Sequence, residues 1–339
     1  MAIQELNSAF QRDIGQIVVS AIKRQGVGNE LGLKNSWLGL LGSFNRIEFM
    51  PFAPSKMAEK MVVPYASAGT AEYYDLDSAP QAAGNESVKT ANIAFASARD
   101  VMRIRNFDEA ALKSEVTLVN EGLLGHNTKE AMKNIVDIME KGLRDGLGVG
   151  SDPYGMAFWV NNSSVYGNID QAVDTWSQAT LINAGGSALS LKHLREAVEG
   201  VVDANGGEVQ VIVSSARQRN KYRELIGSKT TNNNMKIGDA EYSVEFYDDI
   251  PWVVIPKMTN SVVYGLNMET FVMKILLQKA PDGSLPQLSN IEQAGLPFAM
   301  RYLGNVNDDA RYAITNYHQL VCRKPWQNFK IYGLSTSLS

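Results

Sequence analysis

Residues 46–99 form a stretch that cannot easily bury itself, and this limits the folds open to the chain. Pro51, Pro54, Pro64 and Pro80 punctuate it. Each lacks an amide donor and restricts the residue before it, so a continuous helix is excluded. Short extended pieces are predicted at 60–65, 72–76 and 88–95, with runs of small residues at 66–70 and 79–84 between them. So long an excursion is rare inside a compact domain unless it has a task. Two strands of a projecting hairpin, ordered by partners outside the chain, resolve the conflict. From Glu72 to Glu86 the stretch holds four acids, Asp75 and Asp77 among them, and neither Lys nor Arg; Arg99, Arg103 and Arg105 follow soon after.

Residues 1–35 pose the same problem. Phe10, Ile14, Ile17, Val18, Ala21 and Ile22 recur at helical spacing, and Gly26, Gly28 and Gly32 end the pattern. So little apolar surface makes no core, so this arm must dock on the rest of the chain or on a neighbour.

Beyond the excursion the chain reads as an ordinary α+β protein. Asn127, with Glu130 three residues on, is placed to cap a helix of about twenty residues. Its apolar stripe is Met132, Ile135, Val136, Met139, Leu143 and Leu147, and Gly146, Gly148 and Gly150 stop it. A second helix starts at Ser190, with Leu191, Leu194, Ala197, Val198, Val201 and Val202 on one face, and ends at 205–207. Strands are predicted at 209–213, 242–247, 253–255, 261–266, 270–276, 310–316, 317–322 and 329–332. A polar helix lies at 216–226, and 227–234 reads as an exposed loop tip.

Composition narrows the function classes. With 45% hydrophobic and 20% charged residues the chain is globular. A net charge of −4 argues against tight phosphate neutralisation. A lone Cys322 forms no internal disulfide, so the fold needs no oxidising compartment. Glu5, Arg12 and Asp13 break any leader-like apolar run, and no stretch is long enough for a bilayer, so synthesis in a cytoplasm without a membrane partner is expected.

Catalytic signals are weak. His126, His193 and His318 lack metal-ligand spacing and read as surface or helix-terminal residues; no metal, cofactor or catalytic residue is expected. Cys322 reads as a buried apolar residue. The glycines at 146–150 follow a helix and lack a Lys-Ser or Lys-Thr, so they read as a helix stop. The adjacent pairs Asp248–Asp249 and Asp308–Asp309 read as turns. Arg217, Arg219, Lys221 and Arg223 read first as a solvated helix face, with contact to DNA or a neighbouring subunit as the second reading.

The order of these segments resembles the major capsid proteins of tailed bacteriophages, the Hong Kong 97 fold. Glu72-Tyr-Tyr-Asp75 and residues 88–95 look like the descending half of its extended loop. Residues 126–150 look like its spine helix, and Gly150-Ser-Asp-Pro-Tyr-Gly155 is similar to the turn after it. Residues 189–204, 209–214 and 217–225 look like its axial-domain helix, strand and short helix. The resemblance implies an N-terminal arm at 1–45, an extended hairpin loop at 46–99, a peripheral domain with the spine helix at 100–155 and 267–339, and an axial domain at 156–266.

It implies a non-catalytic subunit that assembles as hexamers and pentamers into an icosahedral head around double-stranded DNA. Expected partners are copies of itself, a separate scaffolding protein, a portal and an optional decoration protein, with at most weak contact to packaged DNA. The expected location is the virion, after assembly in a host cytoplasm. Such shells are filled by a motor, which fits the mild acidity. The acidic loop, with Glu72, Asp75 and Asp77, is expected to lie against a neighbour's Arg99, Arg103 or Arg105. Some members cross-link through lysine; Lys56, Lys60 and Lys89 lie in the loop region, but no motif selects one. The alternatives are an encapsulin-type compartment shell, which shares this fold, and an α+β enzyme.

Overall fold

The computed structural model describes residues 37–50, 57–66, 87–105, 122–227, 233–237, 240–277, 299–306 and 309–337. The chain's axis is a fourteen-residue strand, β15 (Asp309–Cys322), about 48 Å long at strand rise. The sequence suggests two shorter strands here, and the structure joins them. Strand β4 (Ala96–Arg105) pairs antiparallel with one edge of β15 over most of its length. The other edge is shared: β14 (Ala299–Val306) takes its first half and β13 (Phe271–Leu276) its last residues. Strand β1 (Ile47–Met50) adds in parallel to β13. These make a five-stranded mixed sheet.

The long helix, α2 (Gly122–Asp145), packs on one face of that sheet. At 1.5 Å per residue it spans about 36 Å. It starts earlier than expected and Asn127 lies within it, so Asn127 is not its cap. Ile135, Val136, Met139 and Leu143 are buried against the sheet as the periodicity implies. Leu147 falls beyond the helix end and is 57% exposed. The glycines do end it: the Gly146 amide donates to the Gly142 carbonyl, and Gly148 has φ +70°. A Cβ at Gly148 would lie 1.8 Å from the Tyr154 ring.

One element was not foreseen. Within the expected arm, helix α1 (Trp37–Ser43) buries Trp37, Leu38, Leu40 and Leu41 in the main core, with Trp37 edge-on to Phe271 at 6.0 Å. The Glu140 carboxylate of α2 accepts from the Trp37 and Leu38 amides at 3.0 and 2.6 Å, holding the helix's otherwise orphaned donors.

The second layer is a seven-stranded sheet. In spatial order it runs β7 (Thr180–Asn183), β16 (Phe329–Tyr332), β12 (Val263–Leu266), β8 (Val211–Ser214), β11 (Ile250–Val254), β10 (Ala240–Tyr247) and β9 (Asn233–Ile237). Its centre is buried on both faces, so its strands read as apolar runs rather than alternations. Val211, Val213, Val253, Tyr264 and Leu266 point into the main core. Ile212, Trp252, Val263, Phe329 and Ile331 point the other way, under helices α4 (Leu191–Asn205) and α5 (Ala216–Ile226). Ser190 caps α4 as expected, accepting from the His193 amide, and Gly206 closes it at φ +58°. Leu194, Ala197 and Val201 are its buried stripe; Leu191 and Val202, expected on that face, are exposed. Asp248 and Asp249 take φ of +50° and +63° in the two-residue turn between β10 and β11, confirming the turn reading. Asp309 opens a strand, and Asn233 and Asn234 of the expected loop tip belong to β9.

His318 departs most from its expected surface role. It is 2% exposed, with Nδ1 donating to the Asn316 side-chain oxygen at 2.7 Å and Nε2 unpartnered. Burial pushes its pKa from 6.5 down to about 4. Cys322 is buried as expected, and burial pushes its thiol up to about 12.

Two outcomes follow. Trp37→Ala should cost about 3–5 kcal/mol, read as a lower urea midpoint; an unchanged midpoint would place α1 outside the core. Between pH 6.5 and 4 the unfolded chain takes up a proton at His318 that the folded chain refuses, so stability is lost as the pH is lowered through that window. His318→Gln should flatten this part of the urea-midpoint profile, and an unchanged slope would show that His318 does not contribute.

Candidate assembly surface

The excursion is narrower than the sequence suggests, because β1 and β4 at its two ends belong to the five-stranded sheet. What projects is an antiparallel ribbon of β2 (Met57–Ala66) and β3 (Ser87–Ala94). Pro64 sits in β2 next to an irregularity in the pairing, where a missing donor is tolerated. Glu72, Asp75 and Asp77 lie outside the described residues.

Ion pairs hold the ribbon's root on both strands. On β2, Glu59 meets Lys274 of β13 at 3.0 Å and Arg323, just past β15, at 3.0 Å; Lys274 also lies 3.6 Å from Glu48. On β3, the Lys89 ammonium donates to both oxygens of Asp174 at 2.6 and 2.7 Å. This bond, more than any other influence, holds the Asp174 carboxyl below its ordinary pKa. Lys89, weighed as a cross-linking lysine, is thus committed to a carboxylate of its own chain. Beside it the small hairpin of β5 (Val165–Tyr166) and β6 (Ile169–Asp170) closes on β3: the Asn168 amide donates to the Thr90 carbonyl at 3.3 Å. Gly167, at φ +61°, lets it approach, since a Cβ there would lie 2.6 Å from the Ala91 Cα. Met61, Ala91 and Ile93 bury the root in the main core. Tyr154, Tyr166 and, from the short helix α3 (Met156–Trp159), Phe158 and Trp159 support it as an aromatic cluster, and the Trp159 indole donates to the Leu320 carbonyl at 3.0 Å.

The face of the five-stranded sheet away from α2 carries the expected arginines. Residues two apart on β4 share a face, and Arg99 and Arg103 are both exposed there with Val101 between them. Arg105 holds the next position in the same series. Residues directly opposite in antiparallel strands also share a face. Val101 pairs with Ala313 and Ala313 with Arg301; Arg103 pairs with Arg311. Arg301 is exposed and Arg311 half-buried. Three strands thus bring four described arginines together. Asp309 lies on this face 3.4 Å from Arg103, and Glu48 shares the face at the far end, across from Lys274. Arg301 and Arg311 are missed from sequence because pairing, not proximity along the chain, joins them to Arg99.

The basic helix α5 is not simply a solvated face. Lys221 is buried and donates to the Ser335 carbonyl at 2.8 Å. Arg217 bonds the Thr336 carbonyl, and Arg223 pairs with buried Glu245. Lys221 and Arg217 pin the segment after β16 to the body, while Arg223 ties α5 to β10. Among the described residues no group of His, Cys, Asp or Glu is placed to hold a metal, and no helix is long and apolar enough to cross a membrane.

No protein-family profile matches the sequence, and no curated protein does. Solved structures do. A chain from the capsid asymmetric unit of cyanophage A-1(L) superposes with TM-score 0.66 at 13% identity, over 88% of this chain and 93% of that one. The holo-SrpI encapsulin of Synechococcus elongatus PCC 7942 gives 0.54 at 11%, over 87% and 88%. A capsid chain of a native GTA particle gives 0.52 at 9%, over 86% and 88%. At such identities the likeness is one of fold. The chain has the Hong Kong 97-type capsid fold, α+β with spine helix and hairpin, as the order of its sequence segments implied.

If the Lys89–Asp174 pair holds the ribbon's root, Lys89→Ala should speed amide exchange in β2 and β3 several-fold while the main core exchanges as before. Equal exchange in variant and parent would show that the apolar root suffices.

Proposed function

We propose that this chain is the major capsid subunit of a tailed phage, building an icosahedral head that encloses double-stranded DNA. One observation carries the reading: a body of capsid fold clamps, at its root, a ribbon of β2 and β3 that joins no larger sheet among the described residues. An isolated ribbon of two strands is marginal in water, and a neighbouring subunit supplies the missing burial. A shell needs several such contacts per subunit, each typically burying ~800 Å² per partner, more than the sides of a compact body offer.

In this reading the chain has no catalytic role and resides in the virion after assembly in the host cytoplasm. Its partners are copies of itself in hexamers and pentamers, a scaffolding protein, a portal and an optional decoration protein, with weak contact to packaged DNA. The peripheral unit is the five-stranded sheet with α2, and the axial unit is the seven-stranded sheet with α4 and α5. Against the boundaries expected from sequence, α1 goes to the peripheral unit and β16 to the axial one.

The encapsulin likeness supports a second reading, a compartment shell around a cargo protein. Electron microscopy of the purified protein, alone and with a candidate scaffold, should show uniform hollow particles or capsomer rings. A strictly monomeric protein under all these conditions would overturn both readings. Purification from the native source separates them: particles filled with DNA support the head, and particles filled with a second protein support the compartment.

A further inference from the structure

We infer, building on the shell reading above, that Asn328 is a positioning residue for assembly: it fixes the angle between the five-stranded and seven-stranded sheets, and through that angle the curvature of the shell. Among the described residues the chain passes between the two sheets at three places. β12 leads into β13 through a short 3₁₀ turn at Met268–Thr270. β15 leads into β16 through another at Pro325–Gln327. The third passage runs from α2 to β7. β13 pairs with β15 in one sheet and β12 with β16 in the other, so the first two passages lie side by side.

Asn328 touches all three passages. It is fully buried. Its side-chain oxygen accepts from the Asn267 amide at 2.8 Å, where the chain leaves β12. Its side-chain amide donates to the Thr270 hydroxyl at 3.3 Å, just before β13, and to the Lys324 carbonyl at 3.1 Å in its own passage. Its backbone carbonyl accepts from the Thr180 amide at 3.0 Å, where the third passage becomes β7. Two further bonds lace the same seam. The Arg323 amide donates to the Thr270 carbonyl at 2.8 Å, and the Asn267 side-chain amide to the Gln327 side-chain oxygen at 3.2 Å.

Apolar packing alone leaves this angle loosely defined. The main core reaches from one sheet to the other, but apolar burial has no direction, and packed layers can slide by small shear steps. Hydrogen bonds weaken steeply when bent, so a satisfied buried network selects one arrangement of the groups it joins. In the proposed shell each subunit meets neighbours through both units. The angle between the sheets then recurs at every contact, and a closed surface requires that the rotation from copy to copy closes.

The test uses the full-length protein. Asn328→Ala removes the side-chain tethers and keeps the backbone carbonyl. Ser214→Ala, which takes a buried hydroxyl from the Trp252 indole within the seven-stranded sheet, is the control. In the unassembled subunit Asn328→Ala should speed exchange of the Thr180 amide about ten-fold although its acceptor is retained, and Ser214→Ala should leave it as in the parent. In electron micrographs of assembled protein, Asn328→Ala should cut the fraction of particles with the parent's diameter about three-fold in favour of other sizes or open sheets. Ser214→Ala should keep the parent's diameter. Thr270→Val, which keeps the side chain's shape and removes its hydroxyl, should move both readouts the same way by less, and it decides the matter if Asn328→Ala does not fold. Parent-like exchange at Thr180 would overturn the coupling of the passages. Particles of the parent's diameter from Asn328→Ala, or equal broadening by Ser214→Ala, would overturn the effect on curvature and leave the shell reading standing. A parent protein that forms no particle would remove the shell reading and the curvature with it, while exchange at Thr180 would still decide the coupling.

Discussion

The backbone hydrogen bonding of β15 is the constraint on which the rest of the molecule depends. A strand has two edges, and buried amides and carbonyls on both must find partners. β15 fills one edge with β4 and divides the other between β14 and β13. This division brings three distant parts of the sequence into one sheet and provides the flat face on which α2 packs. It also sets direction. Because β4 follows the ribbon after a single residue, the register of β4 on β15 fixes where the ribbon leaves the body.

The body and the ribbon are joined by different physics. The body is held by apolar burial through a core continuous from α1 across α2 and the five-stranded sheet to one face of the seven-stranded sheet. The ribbon's root has some of that burial, but its lateral restraint is ionic, with Glu59 on one strand and Lys89 on the other. Such pairs have directional preference, and at partly exposed sites each contributes little, on the order of 1 kcal/mol or less. That combination sets the angle of a projecting element without making it rigid. In the shell we propose, a subunit set in both six-fold and five-fold surroundings would use such compliance at the root of its arm.

Much of this was legible in the sequence where local chemistry is self-contained. Ser190 and Gly206 mark α4 because capping depends on neighbours three or four residues away. Asp248–Asp249 announces a hairpin because few residues accept positive φ in succession. The ribbon was legible from its prolines. Other features depend on tertiary partners and left no local sign. α1 is seven residues long, and its burial requires Phe271 and Glu140 from far along the chain. His318 looks like any histidine in an alternating strand until β13 and α2 enclose it. The basic run on α5 resembles a solvated face because the carbonyls it binds, at Ser335 and Thr336, lie more than a hundred residues away. Arg301 and Arg311 join Arg99 and Arg103 only through strand register.

The charge distribution bears on how a mildly acidic chain can assemble at all. A net charge of −4 keeps free subunits slightly repulsive and soluble, yet this surface is not uniformly acidic. Some basic side chains are bound within the chain, as on α5 and at Lys89 and Lys274, and four described arginines share one sheet face. Residues 72–86 hold four acids and no basic residue. In the shell we propose, uneven charge of this kind would favour some relative orientations of two copies over others. Exposed ion pairs are also weak one at a time and screened by salt. A wrongly placed subunit making only some of them can leave before its neighbours lock it in. In the shell we propose, closure would then depend on the sum of many modest contacts.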